Sequence, residues 1–132
     1  MRFKVNPQSS VPLYAQIVEQ IRNQIFSGRL KKTMPLPSVR EFAEMLEVNS
    51  LTIQKALKLL EQEKYILIKR GVGAFVSDNI EIMNAHDREL LLSPNLNNIV
   101  LQAKELGITH PRLEELVNNV WNTDQEIEVK KK

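Results

Sequence analysis

Apolar positions recur at helical spacing along the first quarter of the chain, with polar residues between them. Leu13, Ile17, Ile21 and Ile25 stand four residues apart, with Tyr14 and Val18 beside them, which describes one buried face of a helix. Pro12 suits the opening turn of that helix, where a missing amide hydrogen costs nothing, and Ser27-Gly28 marks its end. From Lys31 to Pro37 two prolines push their preceding residues out of the α region, so this stretch is expected to be extended. Residues 1–10 show no period and contain Asn6-Pro7 and Ser9-Ser10, which reads as an arm or loop.

A second pair of helices follows. Ser38-Val39-Arg40-Glu41 has the spacing of a capping box, in which Ser38 accepts from the Glu41 amide while Glu41 reaches back. Val39, Phe42, Ala43 and Leu46 face inward on the short helix it starts. Glu47-Val48 forms a turn, Asn49 caps the next helix, and Ile53, Ala56, Leu57 and Leu60 form its apolar stripe through to about Lys64. Two short helices joined by a tight turn make a helix-turn-helix. The pattern then changes: Tyr65 to Lys69 and Ala74 to Val76 are rich in β-formers and flank Arg70-Gly71-Val72-Gly73. Its glycines permit positive φ, so the segment predicts a hairpin wing.

The remainder is helical. Ile80 to Leu92 has mixed polarity, and Ser93-Pro94 reads as an N-cap followed by proline at the first helical position. Leu96, Ile99, Val100, Ala103 and Leu106 then form a stripe ending at Gly107. Thr109 caps a last helix carrying Leu113, Leu116, Val117, Val120 and Trp121 on one side, and a charged tail, expected to fray, begins at Thr123. The fold class expected is mainly α with a small β-wing: a winged helix-turn-helix over residues 1–78, followed by a short α-helical dimerisation region over 79–132.

Composition narrows the function. The 132 residues are 42% hydrophobic and 26% charged, values of a globular protein. No apolar run approaches the roughly 20 residues of a membrane span, and the N-terminus has no apolar h-region. Absence of cysteine excludes disulfides and thiolate metal sites, and a cytoplasmic location is the default expectation. The net charge of +2 conceals a division: residues 1–78 carry 12 Lys/Arg against 7 Asp/Glu, and residues 79–132 carry 6 against 9. A basic front half and an acidic rear half suggest that the front meets a polyanion.

The chemistry of the second helix of the motif points the same way. An α-helix fits the major groove, and its N-terminal end reaches base edges. With the stripe Ile53, Ala56, Leu57, Leu60 turned inward at about 100° per residue, Leu51, Gln54, Lys55 and Lys58 fall on the outward side. Gln54 suits bidentate bonding to adenine, Lys55 suits guanine or a phosphate, and Lys58 suits the backbone. Free amides near Asn49 and Ser50 suit a phosphate oxygen. Lys69, Arg70 and Gly71 at a hairpin tip suit the minor groove. A polar helix face is ordinarily just solvated; the succession of capping box, turn, second cap and glycine wing is what favours duplex DNA.

The stretches VPLYAQIVEQIRNQIFSGRL, LPSVREFAEMLEVNSLTIQKALKLLEQEKYI and RGVGAFV resemble the DNA-binding domain of the GntR family of bacterial regulators, over residues 11–76. The resemblance implies that Arg40 approaches DNA, that Asn49, Ser50, Leu51, Thr52, Gln54 and Lys55 read bases, and that Gly71 and Gly73 approach the minor groove. The family usually has arginine where Ser50 and Gln54 stand. The run VNSLTIQKA is instead similar to the YtrA-type branch, which usually has Asn where Leu51 stands. Leu51 offers no hydrogen bond, and either meets a thymine methyl or packs sideways onto the turn. Ala74 replaces a usual Thr or Ser in the wing.

About 54 residues remain after the wing, too few for an effector domain with its own enclosed core. The apolar stripes there, with Leu96, Val100, Ala103, Leu106, Leu113, Leu116, Val117 and Trp121, are expected to pair with a second copy of the chain, as the YtrA-type resemblance also implies. His86 and His110 are the two histidines; no metal site, cofactor or enzymatic motif is expected, and the sequence says nothing of a small-molecule effector. The partners expected are double-stranded DNA and the chain itself, with no membrane. The overall expectation is a sequence-specific regulator, a repressor, acting as a homodimer on an inverted repeat. The competing reading is a winged helix used as a protein-interaction module; RNA is a weaker third option, because no aromatic stacking surface is visible.

Overall fold

The computed structural model describes residues 3–80 and 83–130, with backbone alone over 124–130. Among the described residues five helices and one hairpin follow in order: α1 (Leu13–Phe26), α2 (Val39–Leu46), α3 (Ser50–Gln62), β1 (Ile66–Lys69), β2 (Gly73–Val76), α4 (Ala85–Glu105) and α5 (His110–Lys130). The chain divides into two compact units, 1–88 and 89–132.

The first unit is built around the inward stripes of three helices. Ile17, Val18, Ile21 and Ile25 of α1 meet Phe42 of α2 and Ile53, Ala56, Leu57 and Leu60 of α3, with Ile66, Ala74 and Val76 of the wing closing the core. Each fully buried branched side chain contributes about 2 kcal/mol by leaving water. The expected capping box forms: Ser38 Oγ accepts from the Glu41 amide, and Glu41 Oε1 accepts from the Ser38 amide, both at 3.1 Å. At the turn, Glu47 takes a left-handed conformation (φ 55°, ψ 46°) that ends α2, a task commonly given to glycine. Asn49 caps α3, its Oδ1 accepting from the Leu51 amide at 2.8 Å.

The wing pairs Ile66 with Val76 and Lys69 with Gly73 in antiparallel register. Gly71, with φ 78°, sits third in the turn closed by the Val72 amide donating to the Lys69 carbonyl at 2.9 Å, where a side chain would be strained. The far edge of β2 is not left open. The Thr33 and Leu36 amides donate to the Val76 and Ala74 carbonyls, the Val76 amide donates to the Met34 carbonyl, each at 2.9 Å, and Pro35 bridges Phe75. The extended Lys31–Pro37 segment therefore serves as a third strand in all but length.

Two features depart from the pattern read in the sequence. The N-terminal arm is docked: Phe3 is buried, edge-on to Phe42 with ring centroids 5.0 Å apart. Two glutamines one turn apart on α1 hold its backbone. Gln16 bonds both the amide and the carbonyl of Asn6, at 2.8 and 3.0 Å, and Gln20 does the same for Lys4. Second, the first unit extends ten residues past the boundary expected at 78/79, since Ile80 packs on the core, the Met83 amide donates to the Phe26 carbonyl, and Arg88 Nη1 donates to the Ser27 carbonyl.

In the second unit Ser93-Pro94 does not start a helix. Pro94 lies inside α4, and the Ser93 hydroxyl donates back to the Glu89 carbonyl at 3.1 Å instead of capping forward. Proline removes one amide donor to the preceding turn, and the long helix on either side tolerates it. The cap is Asn84, whose Oδ1 accepts from the Asp87 amide at 2.8 Å. Gly107 (φ 73°) ends α4 with the Ile108 amide bonded to the Ala103 carbonyl at 2.8 Å, a Schellman arrangement. Thr109 Oγ1 accepts from the Arg112 amide, so the expected cap of α5 is present, with His110 in its first turn. The side chains of the charged tail beyond Thr123, and Lys131 and Lys132 altogether, lie outside the described residues.

If the arm is part of the core, Phe3→Ala lowers the unfolding free energy by about 3 kcal/mol. Urea denaturation of the two proteins checks this, and an unchanged midpoint would show that the arm merely covers the surface.

Candidate nucleic-acid interface

The face of α3 opposite its buried stripe is turned to solvent. Asn49, Ser50, Gln54, Lys55 and Lys58 are exposed, Thr52 is half-buried, and Leu51 is 67% exposed. Leu51 is therefore not folded sideways onto the turn, which removes one of the two roles open to it. Asn49 Oδ1 takes the Leu51 amide and the Asn49 carbonyl takes the Thr52 amide at 3.0 Å, so two donors in the first turn of α3 are satisfied. The helix therefore starts in a fixed place, with the positive end of its dipole at Asn49 and Ser50.

Arg40 stands on α2 with its side chain 89% exposed, and its Nε lies 3.4 Å from Glu44 Oε1, one turn further along. An exposed pair of this kind contributes little stability, so Arg40 is held loosely and is open to a stronger anion. The partnership was readable from the i,i+4 spacing of opposite charges, though Glu44 was not among the expected site residues.

At the wing, Lys69 lies back along the sheet, its Nζ 5.1 Å from the Phe75 ring centroid. Arg70, Gly71 and Val72 form the exposed tip, with Gly73 the exposed first residue of β2. An added Cβ at Gly71 or Gly73 would meet nothing within 4 Å, so the glycines leave a bare backbone ridge where another molecule is free to approach closely.

Lys55 also has a partner outside its helix. Its Nζ lies 3.9 Å from the centroid of the Tyr14 ring on α1. No sequence signal pairs these residues, because the contact depends on how α1 crosses α3. Among the described residues no three or more His, Cys, Asp or Glu side chains are grouped to hold a metal ion, and no helix is long and apolar enough to cross a membrane.

Comparison with known proteins places this geometry. The family model described as bacterial regulatory proteins, gntR family, matches residues 13–76, from the first helix through the wing. Over 117 residues the chain is 31% identical to the HTH-type transcriptional repressor YtrA of Bacillus subtilis (strain 168), covering 89% of this chain and 90% of that protein. The chain belongs to the GntR family. It is a DNA-binding transcriptional regulator with a winged helix-turn-helix, and the likeness to the YtrA-type branch extends past the wing.

Two solved structures are similar to this chain. YtrA from Sulfolobus acidocaldarius, a GntR-family transcription factor, shares 29% identity at a TM-score of 0.53, covering 92% of this chain and 97% of that one. The DNA-binding domain of AraR, solved in complex with operator ORX1, shares 29% identity at a TM-score of 0.51 over 55% of this chain and 90% of that domain.

Proposed function

We propose that this GntR-family chain is a homodimeric repressor, acting in the cytoplasm, that binds an inverted-repeat operator through α2, α3 and the wing of each protomer. The observation that carries the reading is the two-sidedness of α3: one face is wholly committed to the core, and the other presents Ser50, Leu51, Gln54, Lys55 and Lys58 beside an open glycine wing. The name given to the B. subtilis YtrA protein, a repressor, and the operator complexes of AraR support it.

In this reading α3 enters the major groove. Gln54 bonds adenine edges, Leu51 meets a thymine methyl, and Asn49, Ser50 and Thr52 approach the strand at the helix start. Lys55, Lys58 and Arg40 meet phosphates, and Arg40 exchanges Glu44 for a phosphate oxygen, a charge-assisted bond stronger than the exposed ion pair it leaves. Lys69, Arg70 and the Gly71–Gly73 ridge follow the minor groove.

The second unit supplies the dimer. Leu96, Leu106, Val117 and Trp121 are exposed on it, Leu106 at 74% and Trp121 at 66%, while Val100, Leu113 and Leu116 are half-buried and Ala103 is buried. So much apolar surface on two helices calls for a partner, and a second copy is the simplest. The reading includes no cofactor or metal and names no small-molecule effector.

Gel-shift titration of a palindromic duplex, selected from a random pool, tests the DNA reading. The logarithm of the binding constant should fall against that of salt by about 0.9 for each phosphate contact, and Arg40→Ala should flatten the slope by about one per protomer. Glu114→Ala, on α5, should change nothing. A flat slope for the unsubstituted chain, or enrichment of no duplex, would favour the protein-interaction reading instead. For the dimer, Trp121→Asp should shift the sedimentation mass from two chains toward one; an unaltered dimer would place the interface elsewhere.

A further inference from the structure

Lys55 leaves α3 in a defined direction. On the helix surface it lies about 100° from Gln54, with Leu51 and Lys58 between them, so Gln54 and Lys55 stand on opposite sides of the outward face. Lys55 is on the margin toward α1, and there its ammonium sits 3.9 Å from the centroid of the Tyr14 ring, well within range of attraction to the ring's face. Tyr14 is half-buried and packs against the core, so the ring is a fixed platform. The first turn of α1 carries no acidic residue that would compete there for the ammonium.

We infer that Tyr14 is a positioning residue for duplex recognition: it holds Lys55 at the α1 margin of α3 as a phosphate anchor, leaving base reading to Gln54 and Leu51. The ring occupies one side of the ammonium, and the remaining N–H directions stay available. A compact, strongly hydrated point charge suits a phosphate, whereas base selection favours the planar, two-pronged groups that Gln54 has and Lys55 lacks. A phosphate contact fixes the register of the helix on the duplex without depending on sequence. Tyr14 thereby acts on DNA through Lys55, from a helix outside the helix-turn-helix itself.

The inference rests on α3 being the duplex-facing helix, and the experiment separates the two. Anisotropy titrations of the full chain use the palindromic duplex selected from a random pool and a scrambled duplex of equal length. Lys55→Ala should weaken both by a similar factor and flatten the salt slope by about one per protomer. Tyr14→Leu should weaken binding about two- to five-fold, Tyr14→Phe should restore it by keeping the ring, and Tyr14→Leu should add nothing once Lys55 is alanine. Melting curves identify any variant that fails to fold, and the Phe variant keeps the ring argument testable in that event. Equal losses from Tyr14→Leu with and without Lys55 would overturn the pairing, as would a Lys55→Ala protein whose preference relaxes at one operator base while the scrambled duplex is bound as before. Failure of the unsubstituted chain to bind either duplex overturns the DNA reading, and this inference with it; losses of the wrong pattern in a chain that does bind overturn this inference alone.

Discussion

Ile53, Ala56, Leu57 and Leu60 of α3 are buried against α1, α2 and the first strand of the wing, and the direction of every other side chain on that helix follows from this. A helix whose stripe is fixed on three sides has no freedom to rotate, since turning it by one residue would expose an isoleucine and bury a lysine, at a cost of several kcal/mol. The outward face is thus determined by the inward one. The same burial gives α3 a rigid base, so a ligand meeting its outward face would impose little ordering on binding. The wing is tied to the same core through Ile66, Ala74 and Val76, and its strand edge is closed by residues 33–36. The glycine tip is therefore held in place relative to α3 by packing within one unit.

Features whose causes are local were legible in the sequence. The capping box at Ser38 and Glu41, the Asn49 cap, the helical stripes and the Gly71 turn each depend on residues within a few positions of one another, and all stand where the pattern put them. Most of what escaped had distant causes, the start of α4 excepted. The arm lacks periodicity because Gln16 and Gln20 hold its backbone and a single ring, Phe3, seats it against Phe42. The pairing of residues 33–36 with β2 joins segments forty residues apart in the chain. Ser93-Pro94 has the composition of a helix start, yet the serine turns back to Glu89, and Asn84 with Asp87 supplied a cap that the mixed polarity of the region obscured.

The candidate site divides in the same way. Which residues face outward on α3 followed from period alone, but what each one touches did not. Leu51 had two roles open and is found exposed. Lys55 had guanine and phosphate open, and its place over Tyr14 favours the second. Arg40 is coupled to Glu44 across one helical turn. The departures from the usual GntR arginines at Ser50 and Gln54 leave a helix with fewer charged base readers. In the proposed reading specificity then leans on Gln54, on a methyl contact from Leu51, and on the shape of the grooves that the wing and Arg40 would follow.

In the proposed reading DNA sits on the outward face of α3 and the wing tip. Amide chemical-shift mapping of the full chain during titration with a selected palindromic duplex tests it most directly. Large shifts are expected at Ser50, Leu51, Gln54 and Lys55 and at Arg70, Gly71 and Gly73, with little change at Glu114 and Glu115 of α5. Shifts concentrated on α5, with the start of α3 and the wing tip undisturbed, would contradict it.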